Sequence, residues 1–441
     1  MREMKDSGIE WVGQIPFSWD VKPIRAKFRE VTEKNKLGIE KKALKFTYGN
    51  IVKKDNFDAA DDDYVANTIL NYMVVNPGTI MLNGLNLNFD FVTQRVALVK
   101  ERGIITSAYI AFAPILDNDI SAQFFTYLLK AYDSCKAFHN MGGGVRKILN
   151  FAELKKQYIV YPTLTEQKRI ANFLDAKCEE IDALADDIQT QIETLEQYKR
   201  SIISETVTEG LNPNVQMNDS GLEWIKKIPK EWEVNRIKYL FKSTKGLSIT
   251  KENLIEEGLP VISYGQIHSK MNTGVTVDNE LCRFVSYDYS KYKSSKIEKF
   301  DFAFADTSED YEGCGNCVYK RTDDELYGGY HVVILKSVNK KDNRYFAYLF
   351  QTDVWRKQIR VKVSGVKVYS ITQKIINEAS VIIPPVQEQE AISNFLDTKC
   401  SEINEIIMKK KEQLEVLNEY KKSLIYEYVT GKREVPAICS D

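Results

Sequence analysis

The fold class predicted is α+β, with two mixed domains and two long helices arranged as a pseudo-twofold internal repeat. Three observations predict it. Two pairs of sequence blocks recur at a nearly constant offset. Two segments read as uninterrupted helices with an apolar seam. The stretches between them read as short strands and turns. The expected parts are a first mixed domain over 1–161, a first helix over 162–210, a linker and second mixed domain over 211–382, and a second helix with a tail over 383–441.

The repeat comes first because it organises everything else. The segment DSGIEWVGQIPFSWDVKPIRAKF (Asp6 to Phe28) returns as DSGLEWIKKIPKEWEVNRIKYLF (Asp219 to Phe241), with 11 identities in 23 positions. The block from Pro162 to Thr208 returns from Pro384, with 22 identities over 47 positions. Weaker echoes keep the same order. Tyr48-Gly49-Asn50-Ile51 answers Tyr264-Gly265-Gln266-Ile267, Phe125-Thr126-Tyr127-Leu128 answers Phe346-Ala347-Tyr348-Leu349, and Gly144-Val145-Arg146 answers Gly365-Val366-Lys367. Copies this long are not solenoid units, so one two-part module has been duplicated.

Residues from Thr165 to about Thr208 contain no Gly or Pro. Thr163 or Thr165 can cap the start, and Gly210 with Pro213 ends the run. Ile181, Ile188, Leu195 and Ile202 recur every seven residues, with Leu184 on the intermediate row. Gln191 interrupts that intermediate row; in the second copy Ile403, Leu417 and Leu424 recur with Lys410 breaking the row and Ile406 beside them. Seven-residue spacing predicts a coiled-coil seam, and two matched seams in one chain predict that the helices pack on each other. The pattern leaves their direction open.

Between these blocks lie short apolar runs beginning at Ala43, Gly78, Phe91 and Ser107, then an amphipathic helix from Asn118. The second copy shows runs from Leu259, Lys299 and Gly329, then a helix from Asp342. The whole chain of 441 residues has a formal charge of −1, which by itself argues against a polyanion partner. Divided, residues 11–160 carry 20 basic and 15 acidic side chains, and residues 224–382 carry 26 and 20. Both mixed domains are therefore mildly basic. Gly142-Gly143-Gly144-Val145-Arg146-Lys147 places two cations after a turn that can approach a backbone closely. Asn83, Asn86 and Asn88 are of the type that reads adenine edges, although ordinary turn asparagines fit the same pattern. Expected DNA contacts are Tyr48, Asn50, Lys53, Arg146 and Lys147 in the first domain, and Tyr264, Gln266, His268, Lys362 and Lys367 in the second.

No phosphate-binding glycine loop, dinucleotide fingerprint or methyltransferase Asn-Pro-Pro-Tyr segment occurs. Three histidines and a lone Cys314-Gly315-Asn316-Cys317 pair do not make a metal site, so neither cofactor nor metal is expected. A cryptic enzyme using Cys314, Cys317 and His331 is the weakest alternative. The start lacks a signal-peptide core, and no apolar run reaches about 18 residues, so a cytoplasmic protein without membrane contact is expected.

The paired motifs resemble those of the specificity subunits of Type I restriction-modification systems. The resemblance rests on Gly8-Ile9-Glu10-Trp11 with Ile15-Pro16 and Trp19, and on Glu166-Gln167 followed by Phe173-Leu174-Asp175, each repeated in the second copy. It spans nearly the whole chain. One departure is Glu390-Ala391 in place of the basic pair Lys168-Arg169. The resemblance implies that each mixed domain is a target recognition domain for half of a bipartite double-stranded DNA site. It implies an antiparallel helical spacer, two methyltransferase (M) subunits that use S-adenosylmethionine, two restriction/translocase (R) subunits in the full complex, and no catalysis by this chain. The alternative from the residues alone is a non-catalytic coiled-coil scaffold for protein partners.

Overall fold

The computed structural model describes residues 2–54, 69–91, 94–115 and 118–436. The chain forms two compact units, Met1–Gln189 with Lys411–Asp441, and Thr190–Lys410. Each long helix, Leu164–Glu209 and Val386–Val429, is divided between them.

In the first unit a four-stranded antiparallel sheet has the order Phe28–Glu30, Ile110–Pro114, Ile80–Leu82, Val96–Leu98. In the second unit the order is Phe241–Lys245, Val332–Ser337, Phe302–Ala305, Cys317–Tyr319. The duplication thus extends through the domains whose sequences have diverged most. Alternate strand residues face opposite sides. Ile80, Leu82 and Phe112 join one core, while Met81 and Ala111 join another. Likewise Phe302, Phe304 and Leu335 part from Ala303, Ala305 and Ile334. Both faces of each sheet are covered, which is why the strands read as continuous apolar runs rather than alternating ones.

Ala122–Ser134 is the predicted helix of the first domain, with the Ser121 hydroxyl capping the Phe124 amide. The second domain departs from expectation. Its single predicted helix is two, Arg344–Gln351 and Asp353–Arg360, because Thr352 leaves the helix and caps the second one at the Trp355 amide. The run from Leu259 is a strand only to Ile262, after which Tyr264–Ile267 is a helical turn. Its echo Tyr48-Gly49 instead closes the hairpin Leu44–Thr47/Asn50–Lys53, so these two similar tetrapeptides are not structural equivalents.

Thr163 caps the first long helix at the Glu166 amide. Within the first unit Asp182 meets Lys421 at 2.5 Å and Phe173 meets Tyr428 at 4.6 Å, so the helices run antiparallel. Within the second unit Gln191 meets Lys410 and Lys199 meets Asn404, again antiparallel. The seam differs from the predicted one. Ile170, Ile181, Ile192 and Ile203 are buried, at intervals of eleven, and Ile392, Ile403 and Ile425 are buried on the same row, with half-buried Leu414 between the last two. Leu184 and Ile406 are 50% and 45% exposed, and Leu195, Ile202 and Leu417 are only half-buried. Ile188 and Leu424 are buried as predicted. Eleven residues make three turns at 3.67 per turn, close to the natural helix, so a seam of that period needs no left-handed supercoil.

Candidate nucleic-acid interface

The repeated motifs are the contacts that mount each mixed domain on its helix. The Trp19 indole donates to Glu166 at 2.9 Å, and the Trp232 indole donates to Glu388 at 2.9 Å. The wholly buried Gln167 side chain accepts from the Ser121 amide and donates to the Pro162 carbonyl, each at 2.8 Å. Gln389 donates to the Pro384 carbonyl at the same distance. The Tyr127 hydroxyl donates to Asp175 at 2.7 Å and the Tyr348 hydroxyl to Asp397 at 2.8 Å, which accounts for the echo between Phe125–Leu128 and Phe346–Leu349. Burial, then the bond to Asp175, pushes the Tyr127 hydroxyl well up from its ordinary value. Burial opposes charge on Asp397, but donors from Arg344, Tyr348 and Arg321 outweigh it and hold the carboxyl below the usual carboxylate range.

The predicted contacts of the first domain lie on its surface. Tyr48 is 80% exposed at the hairpin tip, with positive φ, and Asn50 donates to its carbonyl. Lys53 is exposed on the same hairpin. Arg146 is exposed and Lys147 half-buried on the glycine turn, and among the described residues neither side chain has a hydrogen bond or ion pair. Asn83 and Asn88 are engaged locally, accepting from the Leu85 amide and donating to the Val145 carbonyl. The structure therefore uses these two asparagines to shape a loop.

In the second domain Lys362 and Lys367 are exposed on the corresponding turn. The Gln266 side-chain oxygen (Oε1) accepts from the Ser263 amide as a helix cap. His268 is half-buried, with Nε2 2.8 Å from the Thr307 carbonyl and Nδ1 3.0 Å from Asn316 Nδ2. Both ring nitrogens of His268 and the side-chain oxygen of Gln266 thus serve the domain's own loops. Burial pushes the Cys317 thiol up to about 12 and raises that of Cys314 as well, which disfavours the thiolate at both. Among the described residues no group of three potential metal ligands converges.

Sequence reasoning missed the residues that shape the loops. The guanidinium of Arg95 is fully buried and donates to the carbonyls of Asn83 (3.0 Å), Leu85 (2.8 Å) and Asp90 (2.7 Å). Loop 83–90 is tied in turn to the glycine turn by Leu87 N to Lys147 O (3.1 Å) and Leu149 N to Gly84 O (2.9 Å). A Cβ on Gly84 would lie 2.4 Å from the Leu149 carbonyl oxygen, so only glycine permits this approach. The second domain closes the equivalent junction through Ile371 N to Asp306 O (2.8 Å). Its loop is held from a different element, with Arg356 on Asn316 at 2.6 Å and Arg360 on the Glu312 carbonyl at 2.6 Å. The available signal for Arg95 was one cation at the edge of the apolar run Val96–Val99.

Fold and surface together define a duplicated α+β protein whose two mixed domains are mildly basic and each present a loop-built face. The sequence model described as the Type I restriction modification DNA specificity domain matches residues 24–194 and 229–416, and the chain belongs to that family. It carries the DNA specificity domain twice. Relatives include the Type I restriction enzyme MjaVIII specificity subunit of Methanocaldococcus jannaschii, 25% identical over 364 residues and 80% of both chains. The putative type I restriction enzyme MjaX specificity subunit of the same organism is 23% identical over 445 residues and 96% of both. The fold is shared with a chain from a solved type I R-M system, with a TM-score of 0.68 at 14% identity, over 95% of this chain and 99% of that one. Among the described residues no helix is long and apolar enough to cross a membrane.

Proposed function

We propose that this chain is the subunit that gives a Type I restriction-modification enzyme its DNA sequence specificity, each mixed domain reading one half of a bipartite, asymmetric double-stranded site. Residues 1–161 and 211–382 contain the two readers. The paired helices set the distance between half-sites and form the surface on which two methyltransferase subunits assemble, with two restriction/translocase subunits completing the complex. The chain itself is non-catalytic. Its DNA contacts include Tyr48, Asn50, Lys53, Arg146 and Lys147, and on the other side Tyr264, Lys362 and Lys367, with Gln266 and His268 acting through loop geometry.

The observation that carries this reading is the contrast between copies. The same sheet order and the same Trp–Glu and Tyr–Asp contacts recur, while the loops exposed beside them differ. A common mount with different edges suits two different half-sequences at fixed separation. The test is to exchange residues 20–161 for the corresponding segment of another family member and map adenine methylation in cells carrying the methyltransferase subunit. One half-site should change and the other stay. Change in both, or no sequence-defined methylation from the parent chain, overturns the reading.

A further inference from the structure

The most exposed apolar side chains on the two loop faces occupy matched positions. Val145 is 90% exposed and Val366 93%, each between the glycine and the cation of the Gly-Val-Arg or Gly-Val-Lys turn. Beside them, on the loops leaving strands Ile80–Leu82 and Phe302–Ala305, Phe89 is 68% exposed and Tyr311 45%. Phe89 and Tyr311 stand at equal distance along the chain from Gly84 and Asp306, the residues that make the junction with the turn.

The adjacency is direct. Asn88 donates to the Val145 carbonyl at 3.0 Å, which brings the residue before Phe89 against the turn. In the second domain the Tyr311 ring lies 5.7 Å from that of Tyr369, the residue after the turn's Val368. Solvent-exposed valine and phenylalanine have no folding benefit at these places. Meanwhile the backbone beneath them is heavily braced. Arg95 holds four carbonyls of the first loop, those of Asn83, Leu85, Asn86 and Asp90, and His139 faces the Asp90 carbonyl at 3.1 Å while stacking on Phe91 at 4.8 Å. Arg356 and Arg360 brace the second. Each braced loop has an apolar tip beside a turn that carries an exposed cation, Arg146 or Lys367, and the second loop also carries exposed Glu309, Asp310 and Glu312 around Tyr311. Apolar and carboxylate groups next to a phosphate-binding cation fit contact with base edges, where a carboxylate accepts from a cytosine amino group.

We propose that the ridge of Phe89 with Val145, and that of Tyr311 with Val366, are the base-contacting edges of the two readers, with Arg146 and Lys367 on adjoining phosphates. Apolar side chains contact thymine methyls or the faces of partly unstacked bases, whereas cations fix register without reading sequence. The two copies then differ at the reading position by one hydroxyl, Phe89 against Tyr311, and by Arg146 against Lys367. The hydroxyl lets the second ridge also donate to a base edge.

This rests on the proposed division of labour between the domains, and the test separates the two. Phe89→Ala and Tyr311→Ala are each expressed with the methyltransferase subunit, and methylated adenines are mapped genome-wide. Phe89→Ala should degrade selectivity at one or two base pairs of one half-site, roughly tenfold per position. Tyr311→Ala should do so in the other half-site, and Tyr311→Phe should change only the part due to the hydroxyl. The untouched half-site reports intact folding and assembly in each variant. Unaltered motifs, or equal loss across both halves, overturn the ridge assignment. A parent chain that yields no bipartite motif would instead overturn the division of labour.

Discussion

Ile406 and Ile407 are neighbours on one helix, and the two readings of the seam assign them opposite fates. Seven-residue spacing buries Ile406, whereas in the structure Ile406 is 45% exposed and Ile407 is 8% exposed. Truncation of each to alanine removes the same atoms from the same helix. Both changes gain the same helix propensity, about 0.4 kcal/mol, which cancels in the comparison. Removing a buried isoleucine to alanine costs about 2–5 kcal/mol in lost transfer energy and cavity. At a half-exposed position about half of the transfer energy was never gained, and no closed cavity forms. The net loss there is about 0.5 kcal/mol. The expected difference between the variants is therefore about 2 kcal/mol. Guanidinium unfolding followed by helical ellipticity would read it as a midpoint about 0.4 M lower for Ile407→Ala, at an unchanged slope of about 4–5 kcal/mol/M. Equal losses, or a larger loss for Ile406→Ala, would refute the eleven-residue seam.

Asp397→Asn should destabilise its unit by about 3 kcal/mol, more than Asp175→Asn does, because Arg344, Arg321 and Tyr348 all converge on Asp397, while among the described residues Asp175 receives Tyr127 and Gln123 and no cation. Since the Asp397 carboxyl is held below its unfolded value near 3.9, its stabilisation is present above that pH and is lost as pH falls through the folded value; thermal melts from pH 6 to pH 3 should show the difference between parent and variant shrink. Gly84→Ala forces apart the backbones of loop 83–90 and the glycine turn, and methylation mapping should show one half-site lost with helix content unchanged. Arg146→Gln should weaken DNA binding of the assembled methyltransferase about equally on all sequences and lower the slope of log affinity against log salt by about 1; a change of preference at a single base pair would make Arg146 a reader instead.

The duplication, the class of each domain and the two helices were legible because each rests on local chemistry. Uninterrupted helix formers between Thr163 and Gly210 leave little else for that segment to do, and apolar runs bounded by turn residues read as strands. The seam was misread because seven and eleven share early members. Ile181 satisfies both, and only the burial of Ile192 and Ile203 separates them. The break at Thr352 was hidden because threonine is tolerated in helices, and its role as a cap is decided by where the following turn must point. On the candidate surface, the exposure of Arg146 and Lys367 was legible from the glycine-bearing turns that carry them. The internal bonds of Gln266 and His268 were not, because their partners, Ser263, Thr307 and Asn316, are assembled by the fold. Arg95 was invisible for the same reason: its partners are carbonyls, which every residue possesses.

The whole-chain charge of −1 hides basic mixed domains behind acidic helix surface, and the mount contacts show how such domains can be exchanged without losing the helices. Of the anchors in the first unit, Gln167 bonds the Ser121 amide and the Pro162 carbonyl, which are backbone groups that any incoming sequence supplies. Trp19 and Glu166 lie outside residues 20–161 and travel with the scaffold. Among the described residues, the side-chain bonds asked of the incoming domain are those of Tyr127 and Gln123 to Asp175, the tyrosine hydroxyl being the one that phenylalanine removes. A graft that places phenylalanine there strands a carboxylate that is left with Gln123 or its replacement, and loses a bond to a charged acceptor worth about 1.5–3 kcal/mol. Grafts with a hydroxyl donor at that position should therefore assemble with the methyltransferase and report the donor's half-site. Those without it should recover when tyrosine is restored at 127. If restoration changes neither unfolding midpoint nor methylation yield, the Tyr–Asp contact is not what limits exchange.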